Sequence, residues 1–253
     1  VTYRRTGEGY EIGNGRLALS RSKPGGDLFD RVALDGVELG RLHPLMRQDL
    51  EQSLWIPPDR LDAVEAWSGP VRLVLDVTLS RGASAGEVKP RVDAAGVPEP
   101  VKARPAAYRT RYRITALPGA TAFTSRLLWV ENTDTRPWLL ASTFHYAPSN
   151  IAGKREDDQA LGTCWHDPGA GLFYGAVDPE RAFSISFRTN PAGGQHPDAY
   201  RDAGVTLRPG ERFADAQPAL TLGATKGTGS EAWAEFTRAV AASGRARWQA
   251  FAE

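Results

Sequence analysis

The chain has 253 residues and 41% hydrophobic content, enough to bury roughly three quarters of its unfolded surface in one large domain or two small ones. Its 31 basic and 30 acidic residues leave a formal charge of +1 and are spread along the whole sequence, so no basic stripe argues for nucleic acid. No apolar run approaches the ~20 residues of a membrane helix, and Cys164 as the single cysteine excludes an intrachain disulfide.

Gly13-Asn14-Gly15 separates two period-2 runs, Tyr10 to Ile12 and Arg16 to Ser20, and predicts a hairpin. Asp35-Gly36 does the same between Leu28 to Leu34 and Val37 to Gly40, with a type I′ signal. The segment from Trp55 to Trp67 is irregular. After Gly69-Pro70 the β-branched run Val71 to Leu79 predicts a strand with one buried face. Residues 83–107 are rich in Pro, Gly, Ala and charge and hold no aromatic residue, which predicts a long loop rather than a domain boundary.

Tyr108, Thr110, Tyr112 and Ile114 share one parity and Arg109, Arg111 and Arg113 the other. That alternation places a ladder of three guanidinium groups on one face of a sheet. Ala122 to Glu131 pairs with it, Thr133 to Pro137 turns, and Trp138 to Tyr146 forms a third strand. Shorter strands are expected at 171–177, 182–188, 204–207 and 218–222, spaced by Asp-Pro, Asn-Pro and Pro-Gly turns. Ser230 can cap a helix in which Trp233, Phe236 and Val240 recur on one face, with Gly244 as its break. The expectation is all-β: a large antiparallel β-sandwich with a short C-terminal helix, forming one domain over 1–253 with a helical tail at about 230–253.

The order of a hairpin, a Gly-Pro-Val-Arg strand, a long antiparallel run with Val130-Glu131-Asn132 and a strand ending in His145-Tyr146 resembles the galactose-mutarotase-like superfamily. Within it the chain is most similar to the exo-acting rhamnogalacturonan lyase type of polysaccharide-degrading protein, through Ser68 to Arg72 and Asn14 to Leu17. The resemblance spans residues 10 to 225 and implies a protein that acts on or binds an acidic polysaccharide, in a secreted or periplasmic bacterial setting. Val1 stands where an initiator methionine would, which fits a trimmed chain, in which any targeting segment would be lost. The helical toroid of larger members is not evident, so an enzyme and the sandwich part of one are both open.

Elimination at a uronate needs a base for the proton α to the carboxylate, an acid for the leaving oxygen and a group that neutralises the carboxylate. His145, Tyr146 and His166 are the candidate catalytic residues, with Asn150, Lys154, Arg155, Trp165 and Arg111 as candidate substrate contacts. Trp165 offers a stacking face and Asp167 can orient the imidazole of His166. One condition applies: neighbours in a strand face opposite sides, so His145 and Tyr146 share a cleft only where the strand ends or bulges between them. The plainer account makes Tyr146 core and His145 surface. His43 and His196 each precede proline, which predicts extended turn conformations. The histidines lack metal-ligand spacing and the loop 154–158 lacks a calcium pattern, so no metal and no cofactor is expected. A carbohydrate-binding or scaffolding domain, or a mutarotase-like epimerase, remains as an alternative.

The arginine excess, with only five lysines among 31 basic residues, has two readings. It reflects codon usage, or it supplies planar forks that grip carboxylates or sulfates.

Overall fold

The computed structural model describes residues 1–7, 9–48, 54–83, 91–92, 98–99, 105–146, 154–155, 162–166, 171–176, 186–190, 196–214, 220–225, 234 and 237–238. In chain order its strands begin with β1 (Thr2–Thr6), β2 (Gly9–Gly13), β3 (Leu17–Arg21), β4 (Phe29–Leu34), β5 (Val37–Gln48), β6 (Leu54–Ile56) and β7 (Arg60–Ser68). They continue with β8 (Leu73–Arg81), β9 (Arg91–Val92), β10 (Pro98–Glu99), β11 (Tyr108–Ala116), β12 (Ala122–Asn132), β13 (Trp138–Tyr146) and β14 (Lys154–Arg155). The last are β15 (Gly162–His166), β16 (Gly171–Ala176), β17 (Ser186–Asn190), β18 (His196–Leu207), β19 (Arg212–Ala214) and β20 (Leu220–Thr225).

Two nine-stranded sheets carry the fold. The first runs β1-β2-β3-β4-β5-β13-β18-β17 with β6 on β5, and the second runs β14-β15-β16-β20-β12-β11-β8-β7 with β19 on β12. Their ladders are antiparallel, so the expected β-sandwich is observed. Between the sheets lies one core, because each central strand turns alternate residues inward. In β11 the residues Tyr108, Thr110, Tyr112 and Ile114 are buried while Arg109, Arg111 and Arg113 face outward. Phe29 from the first sheet meets Phe123 from the second edge-on at 5.4 Å, and the Tyr108 hydroxyl crosses the core to donate to the Ile56 carbonyl at 2.8 Å. Burial pushes the Tyr108 hydroxyl pKa well above its ordinary value, which keeps it neutral and a donor.

Turn chemistry fixes the hairpins. Asp35 and Gly36 both have positive φ, 48° and 86°, the backbone that a type I′ turn demands. Asn14 does more than turn the chain. Its Oδ1 accepts from the N–H groups of Arg16 and Leu17 at 3.0 and 2.7 Å, and its Nδ2 donates to the carbonyls of Leu117 and Ala120 at 2.9 and 2.8 Å. The amide therefore ties the β2–β3 turn of one sheet to the β11–β12 turn of the other. Asn14→Ala leaves those buried groups without partners and is expected to cost about 2–3 kcal/mol, read as a lower urea midpoint at unchanged slope.

Several elements differ from expectation. β1 and β7 are strands that the sequence pattern did not announce, and within the expected loop Arg91–Val92 and Pro98–Glu99 form the short β9–β10 pairing. The end of that loop is core: Ala106 exchanges two hydrogen bonds with the Gln48 amide, at 2.7 and 3.0 Å, and the Ala107 N–H donates to Asp134 at 3.0 Å. His43-Pro44 is not a turn but the middle of β5. Pairing with β4 ends at Leu42 and pairing with β6 begins at Met46, so on the side away from β13 no ladder partner needs the N–H that Pro44 lacks. His196 likewise opens β18, with Pro197 just beyond the last β13 pairing at Asp198. In the C-terminal segment Ala234, Thr237 and Arg238 are helical and exposed, and the expected stripe of Trp233, Phe236 and Val240 lies outside the described residues. The cap at Ser230 and the break at Gly244 lie outside the described residues.

Candidate functional site

The outward face of the first sheet is where polar groups gather in a partly buried setting. Along β5, Leu42, Pro44, Met46 and Gln48 are buried, and His43, Leu45 and Arg47 are half-buried on the other face. Over that second face curls the loop 22–28, and its path is set at both ends. Asp30 accepts from the N–H groups of Ser22 and Lys23 at 2.6 and 2.7 Å. Arg21, only 2% exposed, sends its guanidinium to the carbonyls of Asp27 and Gly25, the latter at 2.7 Å, and the Leu28 N–H donates to Leu42 O at 2.9 Å.

The loop so held delivers a carboxylate to an imidazole. Asp27 Oδ1 lies 2.6 Å from His43 Nδ1, with both side chains mostly shielded from solvent, and Arg41 approaches the other oxygen, Oδ2, at 3.5 Å. Gly26 closes the wall. A Cβ there would lie 2.5 Å from Pro58 O, 2.8 Å from Pro57 Cβ and 3.1 Å from His43 Cε1, so only glycine lets the loop approach this closely. A carboxylate on Nδ1 fixes the tautomer and the ring orientation, and proton exchange then runs through Nε2.

Strand register sets what neighbours the imidazole. Tyr146 of β13 pairs with His43 of β5, Asp198 of β18 pairs with Tyr146, and Arg188 of β17 pairs with Asp198. Positions paired across antiparallel strands share a face, with Cβ atoms roughly 5 Å apart. Four strands thus set the backbone positions of His43, Tyr146, Asp198 and Arg188 in one row. One row removed, Leu45, Phe144, Tyr200 and Ser186 pair in the same way. Beyond them come Arg47, Ser142 and Asp202, where the Ser142 hydroxyl donates to Asp202 at 3.2 Å.

No family model matches the sequence, and no curated protein matches it. Among solved structures, the crystal structure of galactose 1-epimerase from Lactobacillus acidophilus NCFM is similar at a TM-score of 0.44 and 11% identity, over 90% of this chain and 98% of that one. The chemistry of the site is therefore drawn from this chain's own residues.

The residues singled out in the sequence are divided by the fold. His145 and Tyr146 both belong to β13, whose ladders run through them without a shift, the only irregularity lying between Leu140 and Ser142. The strand therefore neither ends nor bulges between them. His145 takes the parity of Pro44, on the inter-sheet side of β5, and Tyr146 that of His43. His166 and Trp165 lie in β15 of the other sheet, where His166 pairs with Lys154 and Trp165 with Arg155. Arg111 is on the second sheet as well, with Asp76 at 3.0 Å and Glu65 at 3.0 Å. Asn150 lies outside the described residues. The pair that sequence reasoning missed is His43 with Asp27, and its signal was a histidine–proline dipeptide within an alternating strand, preceded by a Gly-Gly-Asp loop. Among the described residues no group of three or more His, Cys, Asp or Glu side chains is placed to hold a metal ion.

Proposed function

We propose that the protein is a carbohydrate-active enzyme that cleaves a uronate-containing glycan by β-elimination on the outward face of the first sheet. The observation that carries the reading is the His43–Asp27 pair at 2.6 Å, set in register with Tyr146. His43, oriented by Asp27, withdraws the proton α to the uronate carboxylate. Electrons move into the new double bond as the bond to the glycosidic oxygen breaks, and Tyr146 protonates that oxygen. Arg188 in the same row supplies the planar fork that neutralises the carboxylate and so acidifies the α proton. This keeps the reaction class that the sequence resemblance implies and moves the base from His145 to His43. An exo-acting rhamnogalacturonan lyase type of activity and a secreted or periplasmic setting belong to the same proposal.

Asp198 in that row favours a second reading. A carboxylate and an imidazole on one face also suit proton shuttling at the anomeric centre of a free sugar, as in an epimerase. Incubation with a panel of pectic and other uronate glycans, followed by ultraviolet absorbance of the unsaturated product, decides. The expected result is a rising absorbance on at least one of them. Accelerated mutarotation of a free sugar with no absorbance change would replace the lyase by the epimerase, and glycan binding with neither would make the chain a binding module.

A further inference from the structure

The arginine ladder of β11 takes no part in the site above, since it lies on the outward face of the other sheet. There Glu65, Asp76, Arg113 and Arg126 pair in sequence across β7, β8, β11 and β12. Asp76, 2% exposed, binds Arg113 through both oxygens, at 2.7 and 2.8 Å, and also takes Nε and Nη2 of Arg111 at 3.2 and 3.0 Å. Arg111 in turn meets Glu65. Arg111 and Arg113 therefore share two carboxylates, and the surplus charge of the row comes from Arg126, which stands opposite Arg113. Arg126 is exposed and makes no ion pair among the described residues. Arg113 is 46% exposed, with Nε and Nη2 on Asp76 and Nη1 turned away from it.

Two like charges in directly opposed positions destabilise a sheet, and they are tolerated best where an anion comes to rest between them. The next row along the same strands is Trp67, Val74, Thr115 and Thr124. Trp67 is 50% exposed, and Val71 on the turn beside it is 64% exposed. An open indole and two threonine residues in one row, and in the other a guanidinium oriented by a buried carboxylate beside the exposed Arg126, lie roughly 7 Å apart along the strands. An aromatic face stacks on the C–H face of a sugar, hydroxyls match hydroxyls, and an arginine fork fits a carboxylate as Arg113 fits Asp76.

We infer that this face, around Trp67, Arg113 and Arg126, is a second glycan-binding surface for a linear polyuronate, separate from the row at His43. Nucleic acid is disfavoured, because a protein of net charge +1 gains little from counterion release.

The test is affinity electrophoresis of the whole chain in gels cast with polygalacturonate, with neutral dextran or with dextran sulfate, beside a single-stranded DNA mobility shift. Polygalacturonate is expected to retard the protein and dextran is not. Trp67→Ala and Arg126→Gln, both at exposed positions, are each expected to raise the apparent Kd on the order of tenfold, the loss of one stacking or charged contact, in the wild type and in a His43→Ala background alike. Unchanged retardation in both face variants overturns the inference, as does equal or tighter binding to dextran sulfate or DNA, which would reduce it to unspecific attraction of polyanions. Because His43→Ala abolishes elimination without touching this face, failure of the proposed reaction and failure of this surface are read separately.

Discussion

Asp76→Asn is expected to lower the stability of the fold by about 3 kcal/mol, the lower end of what removing one partner from a buried ion pair costs, because Arg111 and Arg113 still reach solvent. The carboxylate is the one group holding both guanidinium groups, at 2.7 to 3.2 Å. An asparagine of the same shape keeps one acceptor, turns an N–H₂ toward donors and leaves two cations facing each other. The effect carries a pH signature. Burial by itself pushes the Asp76 carboxyl up, but hydrogen bonds from Arg113 and Arg111, with their charge, outweigh it and hold the group below its ordinary value. A carboxyl whose folded pKa is depressed contributes stability that is complete above its unfolded value, near 4, and is lost as pH falls through the lower folded value. Urea midpoints measured from neutral pH into acid should therefore fall below pH ~4 in the wild type. The fall should be shallower in Asp76→Asn, with Asp134, also depressed through the backbone N–H groups of Ala107 and Thr135 against its burial, supplying what remains. Equal midpoints and equal acid limbs in the two proteins would mean that Asp76 is not the anchor of the ladder.

That ladder was legible because its cause is local. A residue's parity along a strand decides which face it serves, and Tyr108 to Arg113 alternate without a break, so composition and position carried the same message. Asp35-Gly36 was legible for a related reason: few residues accept positive φ at both central turn positions. β7 was not, because its half-exposed and exposed residues, with Trp67 turned to solvent, lack the hydrophobic alternation on which a strand is recognised. It is the edge of its sheet, where burial on one face is weakest. The site was hidden more deeply. His43 and Asp27 meet because a buried arginine draws a glycine loop over a strand, and Tyr146 joins them through register between strands distant in sequence. Neither relation has a period. Reading His43-Pro44 as a turn followed the usual effect of proline on its neighbour, and what overrode it was a break between successive strand partners at the one residue without an N–H.

His43→Ala is expected to reduce turnover of a uronate glycan by 10²- to 10⁴-fold, the usual contribution of a positioned general base, while lowering the unfolding free energy by only ~1 kcal/mol, the net worth of one hydrogen bond. Asp27→Asn is expected to do less, about tenfold, since it misorients the imidazole without removing it. Tyr146→Phe removes the acid and should match His43→Ala. The decisive measurement is the double variant, because two groups that act in one proton-transfer step do not add: His43→Ala with Tyr146→Phe should be little worse than either alone. Full additivity would mean that the two residues act at separate places, and the register between β5 and β13 would then have no catalytic meaning. A large loss of stability with activity retained per folded molecule would make His43–Asp27 a structural pair that pins the loop 22–28 to its sheet. The two outcomes divide cleanly, since pinning the loop is read in the unfolding midpoint and proton transfer in the rate.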